Sequence, residues 1–372
     1  MSVQVQDPVG VVRRPAARTC RFRMIGVGVG RCAKLSVTAV SVPGDFRQDR
    51  DCVRDEGLSC RRKLARLAAS LGAANNLGGI SVGDLDEAAS IFTGVRPRLF
   101  GIAYRMLGSA SEAEDLVQDV WLRWQATDRG VVKNPGAFLA TTTTRLAINE
   151  LQSARARRET YIGPWLPEPV DTSADPFLGA ERGEALELAV LMLMEKLTPQ
   201  ERAAYVLREA FDYPYGQIAD ILQSTEPAVR QLVSRARKHV AGERKIPVPE
   251  TAQRQLLATF LEAARSGDLE ALERLFAADV ASVSDGNGAR QVSRKVVSGA
   301  ARVAKYIAAF STWYWEGVDV QWVTTNGQAS AIMRRGDTLL GMVTAVASEA
   351  GIEQLLWMMN PEKIAALAEV TK

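Results

Sequence analysis

"YGQIADILQSTEPAVRQLVSRARKHV", residues 215–240, decides how this chain is read. Ile218, Ala219 and Leu222 fall on one face of a short helix, and "QST" makes the turn. A longer helix then starts at Glu226, with Pro227 in its first turn. It carries Val229, Leu232, Val233, Ala236 and Val240 at i, i+3, i+4, i+7 and i+11, an inward stripe at helical spacing. This is the pattern of a helix-turn-helix. The outward face holds Arg230, Gln231, Ser234, Arg235, Arg237 and Lys238, and from Thr225 to Lys245 six Lys/Arg stand against two acids. On the second helix of such a motif, this face is expected to meet double-stranded DNA. Thr225, Glu226, Ala228, Val229 and Arg230, near its start, are placed to reach base edges, whereas Arg235, Arg237 and Lys238 are placed to neutralise phosphates. His239, the only histidine of the chain, is expected at the surface near the end of that helix.

Upstream lies a second helical block. "DLDEAASIFTGVRPRLFGIAYRMLG" reads as one or two amphipathic helices stopped by Gly108. "SASEAEDLVQDVWLRWQ" follows, with Ser111 and Glu114 spaced as a capping box. Ala113, Leu116, Val117, Val120, Trp121 and Trp124 form its apolar stripe, and the opposite face holds Glu112, Asp115, Gln118, Asp119 and Arg123. The two tryptophans could stack on bases, but at their spacing they fit a core better. "NPGAFLATTTTRLAINELQSARARRE" has Asn134 as N-cap and Pro135 in its first turn. It ends basic, with arginines at 145, 155, 157 and 158 against the single acid Glu150. An acidic-faced helix beside a basic one points to two partners, a basic protein surface and a nucleic acid.

These two blocks resemble regions 2 and 4 of the sigma-70 family in its extracytoplasmic-function (ECF) form. The resemblance implies that Asp115, Gln118, Asp119 and Arg123 face the beta-prime clamp of core RNA polymerase. It implies that Asn149, Arg155, Arg157 and Arg158 lie near the single-stranded −10 element, and that the 225–238 face reads the −35 element while region 4 meets the beta flap. Residues 161–183, 23 in number, extend to roughly 80 Å, enough for two DNA sites two helical turns apart at roughly 70 Å.

Past Pro247 and Pro249 the chain continues with a helix, a Gly-Asp turn, a helix, a strand and a tight turn at "DGNG", then another helix. "VDVQWVTTNGQASAIMRR" reads as a strand pair around Asn-Gly, and two more strands follow. Helices covering a curved antiparallel sheet give an α+β cone, similar to the SnoaL-like branch of the NTF2-like fold. With it, the chain from about Leu85 resembles the SigJ-like sigma factors, whose signature segments are W-L-P-E-P, D-G-G-G-K and N-P-D-K-L. Here they read "WLPEP" at 165–169, "DGNGAR" at 285–290 and "NPEKI" at 360–364. The second departs at Asn287 and Ala289, and the third at Glu362 and Ile364. The resemblance implies regulation in cis by the fused domain. Trp165 and Leu166 are costly to leave in water, about 1.5–3 kcal/mol each. Trp165, Leu166, Pro167, Glu168 and Pro169 are therefore expected to dock near Asp285, Gly286, Asn287 and Gly288 or near Asn360, Pro361, Glu362 and Lys363.

The expected organisation is an N-terminal extension at 1–84, disordered or upstream of the true start, and sigma region 2 at 85–160. A linker at 161–185, sigma region 4 at 186–245 and a SnoaL-like domain at 246–372 complete it. The fold class is therefore multidomain: two all-α sigma domains and an α+β cone. Four cysteines confined to the first 60 residues match no zinc spacing and fit a reduced cytoplasmic compartment. No cofactor, metal or catalytic residue is expected. A net charge of +3 over 372 residues places any anion-binding surface in local clusters. No apolar run is long enough for a membrane helix. Two rival readings are a cyclase- or isomerase-type enzyme tethered to DNA-binding helices, with Asp285 as base and Tyr306 or Tyr314 as donor, and a regulator that never joins polymerase. The alternative for Asp285 is a turn residue bonding its own backbone. The cone is also a place for an unidentified small ligand.

Overall fold

The structure, a computed structural model, describes residues 82–172, 186–243 and 246–370. The expectations for residues 1–81 and for linker residues 173–185 lie outside it.

Region 2 is three helices, α1 (Val82–Leu107), α2 (Ala110–Gln125) and α3 (Pro135–Glu159), with a 3-10 turn at Arg129–Val131. Gly108, at φ +71°, ends α1. The α2 cap differs from the Ser111 reading. Ser109 is the N-cap and accepts from Glu112 N, because the turn after Gly108 places the earlier serine at the helix end. Trp124 is buried and donates to Ala88 O at 3.1 Å, while Trp121 packs on Phe92 with ring centroids 5.0 Å apart. Both tryptophans serve the core. Thr143 and Thr144 are buried on α3 and donate back to Leu139 O and Ala140 O, so they present no polar face.

Region 4 comprises α4 (Leu188–Met194), α5 (Pro199–Tyr205), α6 (Tyr215–Leu222) and α7 (Glu226–Glu243), with a π-helical segment at Val206–Ala210. Thr198 and Glu201 form a reciprocal capping box at α5. The turn between α6 and α7 passes through Gln223 in the left-handed region, φ 52°.

The C-terminal domain begins with α8 (Glu250–Ser266) and α9 (Leu269–Leu275). Strands β1 (Phe276–Asp285) and β2 (Val297–Ser298) precede α10 (Ala300–Ala308). Four longer strands follow, β3 (Asp319–Thr325), β4 (Gln328–Arg335), β5 (Thr338–Ser348) and β6 (Gly351–Met358), and α11 (Pro361–Val370) ends the chain. The sheet order is β2-β1-β6-β5-β4-β3. It is not wholly antiparallel: β1 and β6 run parallel, because the chain crosses the whole domain before β6 returns beside β1.

Side chains alternate along each strand between two faces. The inner face holds Ala331, Met333, Val343, Ala345, Leu355 and Trp357, which pack with Leu257, Phe260 and Leu261 of α8 and Val303, Ala304 and Ile307 of α10. The outer face holds Val283, Ile332, Met342, Leu356 and Met358, joined by Ile364 of α11. These residues share one continuous core with regions 2 and 4 and with Leu166 and Val170 of the linker. The sheet is thus buried on both sides, by α8 and α10 on one and by α11 with the rest of the chain on the other.

Candidate DNA and polymerase surfaces and the clasp between them

The outward stripe of α2 is open to solvent. Asp115, Gln118 and Arg123 are exposed and Asp119 is half-buried. Leu122, between them in space, is 44% exposed, an apolar centre within a charged rim.

The outward face of α7 is also exposed at Thr225, Glu226, Arg230, Gln231, Ser234, Arg235, Arg237 and Lys238. Ala228 is half-buried. Val229, expected to read bases, is fully buried against the motif's own core and has no reach to a base edge. The cations are held in place. Arg230 pairs with Glu226 and lies 4.6 Å from the Tyr215 ring centroid, Arg235 reaches Glu201 at 2.7 Å and Arg237 reaches Glu209 at 2.7 Å. His239 is half-buried.

The basic end of α3 is divided between solvent and region 4. Asn149 is exposed, and Arg157 pairs with Glu112 and Glu150. Arg155 and Arg158 are turned onto region 4. Arg155 donates to Glu195 O at 2.9 Å and to Leu197 O. Arg158 pairs with Glu195, which also pairs with the fully buried Arg202. Burial alone would raise the Glu195 carboxyl, but the Arg202 and Arg158 guanidiniums more than reverse this and hold it below its ordinary value. Arg145 adds a further tie, with Nε to Ile221 O at 2.9 Å and Nη2 to Asp220 O at 3.0 Å. These carbonyls belong to the last turn of α6, where a cation is favoured.

The linker lies between region 2 and the sheet and is bonded to both. On the region 2 side, Glu168 accepts from Ser111 N at 2.9 Å and from the hydroxyls of Ser109 and Ser111, both at 3.1 Å. Its backbone N–H donates to Gly108 O at 2.8 Å, and Tyr104 donates to its carbonyl at 2.6 Å. On the sheet side, the buried Asp285 carboxylate accepts from Leu166 N at 2.8 Å, from Lys363 Nζ at 2.7 Å and from the Tyr161 hydroxyl. Asn360 donates to the same hydroxyl at 2.8 Å. Asp285 is therefore no turn-capping residue, because each oxygen is committed across the contact. Lys363 also donates to Leu166 O. Burial pulls the Lys363 ammonium below its ordinary value, and Asp285 offsets part of this.

Trp165 is half-buried between two cations, Arg158 at 3.6 Å and Lys363 at 4.4 Å from its ring centroid. Its ring lies so near Gly108 that a Cβ there would meet it at 2.9 Å. Leu166 is 1% exposed and Pro167 and Pro169 are buried. In the "DGNG" segment Asn287 takes φ 45°, and Gly288 lies under Ile162. Asn360 accepts from Glu362 N at 3.0 Å, starting α11. A cleft of about 710 Å³ opens beside Trp165, lined by Glu112, Arg157, Glu168 and Lys363 among others, so solvent reaches this contact.

A second contact escaped the sequence reading. Asn326, at the tip of the β3–β4 hairpin, is fully buried. Its amide donates to the Tyr104 hydroxyl at 2.7 Å and to Leu186 O at 2.9 Å, and its carbonyl accepts from Val170 N at 3.0 Å. One side chain thus joins region 2, the linker and region 4. Asn-Gly reads from sequence as a hairpin turn, which it is. The further role lies in long-range pairing that no local pattern carries.

Comparison with known proteins agrees with this layout. The model of sigma-70 region 2 matches residues 91–157, and that of sigma-70 region 4 matches residues 187–240. The chain is 34% identical over 288 residues to the ECF RNA polymerase sigma factor SigJ of Mycobacterium tuberculosis, covering 74% of this chain and 92% of that one. This chain belongs to the ECF sigma factors. A probable ECF sigma factor of the same organism, SigI, is 33% identical over 228 residues, covering 60% of this chain and 76% of that one. The crystal structure of M. tuberculosis SigJ superposes with a TM-score of 0.61 at 30% identity, over 74% of this chain and 98% of that one. Two helical sigma domains followed by a SnoaL-like mixed-sheet domain are therefore the architecture of this sigma factor. Among its described residues no helix is long and apolar enough to cross a membrane, and no cluster of three His, Cys, Asp or Glu could hold a metal ion.

Proposed function

We propose that this ECF sigma factor is held shut by its own C-terminal domain and opens to join polymerase and promoter. One observation carries the reading. Arg145 and Arg155 of the −10 helix are bonded to region 4, so the two DNA readers are in contact. On a promoter they must stand roughly 70 Å apart. The arrangement is thus incompatible with promoter binding, and the linker that must lengthen is pinned at Leu166, Glu168 and Val170.

In the open form Asp115, Gln118, Asp119 and Arg123 dock on the beta-prime clamp and region 4 docks on the beta flap. Asn149, Arg155, Arg157 and Arg158 line the −10 strand. Thr225, Glu226, Ala228, Arg230, Gln231 and Ser234 face −35 bases, with Arg235, Arg237 and Lys238 on phosphates. The protein works in the cytoplasm, where polymerase and promoter are. Its role in this reading is regulatory, and Asp285, the candidate base of the rival reading, has both oxygens bonded.

Run-off transcription with core polymerase tests this. The chain lacking residues 251–372, solubilised by a fused partner, is expected to give more transcript than the full chain at equal occupancy of core. No promoter-specific transcript from either form overturns the reading. A second arm offers small ketones and esters to the full chain, and turnover abolished by Asp285→Asn favours the enzyme.

A further inference from the structure

The C-terminal domain as a whole is slightly acidic, with twelve Lys/Arg against fourteen Asp/Glu in residues 246–372. Its charge is unevenly spread. Between Gly286 and Trp315 there are five cations, Arg290, Arg294, Lys295, Arg302 and Lys305, and no acid. All five are exposed, and none forms an ion pair among the described residues. The segment is the β1–α10 loop and α10 itself. α10 packs along β1 and β2, which bracket the loop. The loop cations and the α10 cations therefore lie on adjoining elements. Aromatic rings continue from α10: Tyr306 meets Phe310 edge-on at 4.9 Å, and Phe310 meets Trp313 at 5.3 Å. Trp313 is 41% exposed.

Unpaired cations repel one another, so an acid-free cluster weakens the fold unless an anion covers it. Cations beside solvent-facing aromatic rings fit phosphates and unstacked bases together. Its position favours DNA. Region 4 ends at Glu243 and α8 starts at Glu250, so six residues tether the C-terminal domain that carries this face to the recognition helix. They span at most about 20 Å. Any duplex held by α7 is thus presented to the C-terminal domain at high effective concentration.

We propose that the Arg290–Trp313 face is a second, sequence-independent DNA contact, holding phosphates of DNA next to the site bound by region 4. It does not depend on the closure reading.

The test is binding of the full chain to a short duplex and to oligo-dT from ~50 to ~200 mM salt. The variant Arg294→Ala/Lys295→Ala/Arg302→Ala/Lys305→Ala is expected to bind both about 10–100-fold more weakly at low salt. Its slope of log K against log salt should be shallower by about 3–4, at roughly 0.9 per lost phosphate contact. Arg294→Lys/Arg302→Lys should retain binding, and Trp313→Ala should weaken oligo-dT more than duplex. Unchanged affinity and slope in the fourfold variant, with its thermal melt intact, overturn the proposal. So does a loss seen only on phosphatidylglycerol vesicles. Run-off transcription by the same variants with core polymerase reads sigma function separately.

Discussion

The two faces of the C-terminal sheet are both buried, but by different means. The inner face is apolar and is covered by α8 and α10, close in sequence and inseparable without unfolding the domain. The outer face is a patch of Val283, Ile332, Met342, Leu356 and Met358 covered, beside Ile364 of α11, by chain that lies more than a hundred residues away. Around this patch stand Asp285, Lys363 and Asn326, each hydrogen-bonded across the contact. An apolar centre with a satisfied polar rim is the anatomy of an interface between partners. Contacts of that kind within a chain separate as units. The outer face is therefore a clasp, and the inner face a core.

The largest way to break this contrast is at Asp285. Asp285→Ala strands the buried Lys363 ammonium and is expected to weaken the closed form by about 3–5 kcal/mol. Urea unfolding should then show an early loss of interdomain contact ahead of an unchanged melt of the domain itself. Adding Lys363→Met should restore part of the loss, because removing both charges costs far less than removing one. An inner-face change such as Phe260→Ala should instead lower the domain's own stability by about 3–5 kcal/mol, without a separate early step. Asn326→Ala comes next, at about 2–3 kcal/mol, since Val170 N–H loses its acceptor and the Tyr104 hydroxyl a donor. Trp165→Ala removes two cation–π contacts and should weaken closure by about 1–2 kcal/mol. The difference in emission between the wild type and Trp165→Phe reports the same opening.

The smallest effect is with pH. Glu195 is held below its ordinary 4.5 by its two arginines. The region 2–region 4 joint therefore gains stability that is fully present above pH 4.5 and fades as pH falls through the lowered value. Glu195→Gln should flatten that acid limb in an interdomain distance measured against pH.

How much of this was legible in the sequence follows the same division. The helix-turn-helix, the α2 stripe and the inner sheet face follow from local period, caps and prolines, and the matches to sigma-70 regions 2 and 4 fall on the same segments. The outer face left a weaker trace. "GMVTAVA" and "LLWMM" are apolar at successive positions, which is what a strand covered on both faces requires. Of the domain's own helices only α11 reaches the other side, so the strands imply a further cover but not its source. The contacts of Arg155 and Arg158 with region 4 are not legible, because a basic helix end looks alike whether it meets phosphates or protein oxygens. Asp285 read equally well as a turn residue, since Asp-Gly is a turn signal and its partners lie 78 to 124 residues away. The spacing of Ser111 and Glu114 points to Ser111 as cap, whereas the turn at Gly108, which local spacing does not carry, makes it Ser109.

The central claim is that the outer-face clasp keeps the two DNA readers together. Single-molecule energy transfer between labels at the exposed positions Gln152→Cys and Ala241→Cys, with Cys20, Cys32, Cys52 and Cys60 replaced by serine, tests it most directly. One high-efficiency population is expected in the free chain. It should give way to a broad low-efficiency one in the Asp285→Ala/Asn326→Ala chain, and to a separation near ~70 Å on core polymerase with promoter DNA. A high-efficiency population that persists unchanged in the double variant would contradict the account.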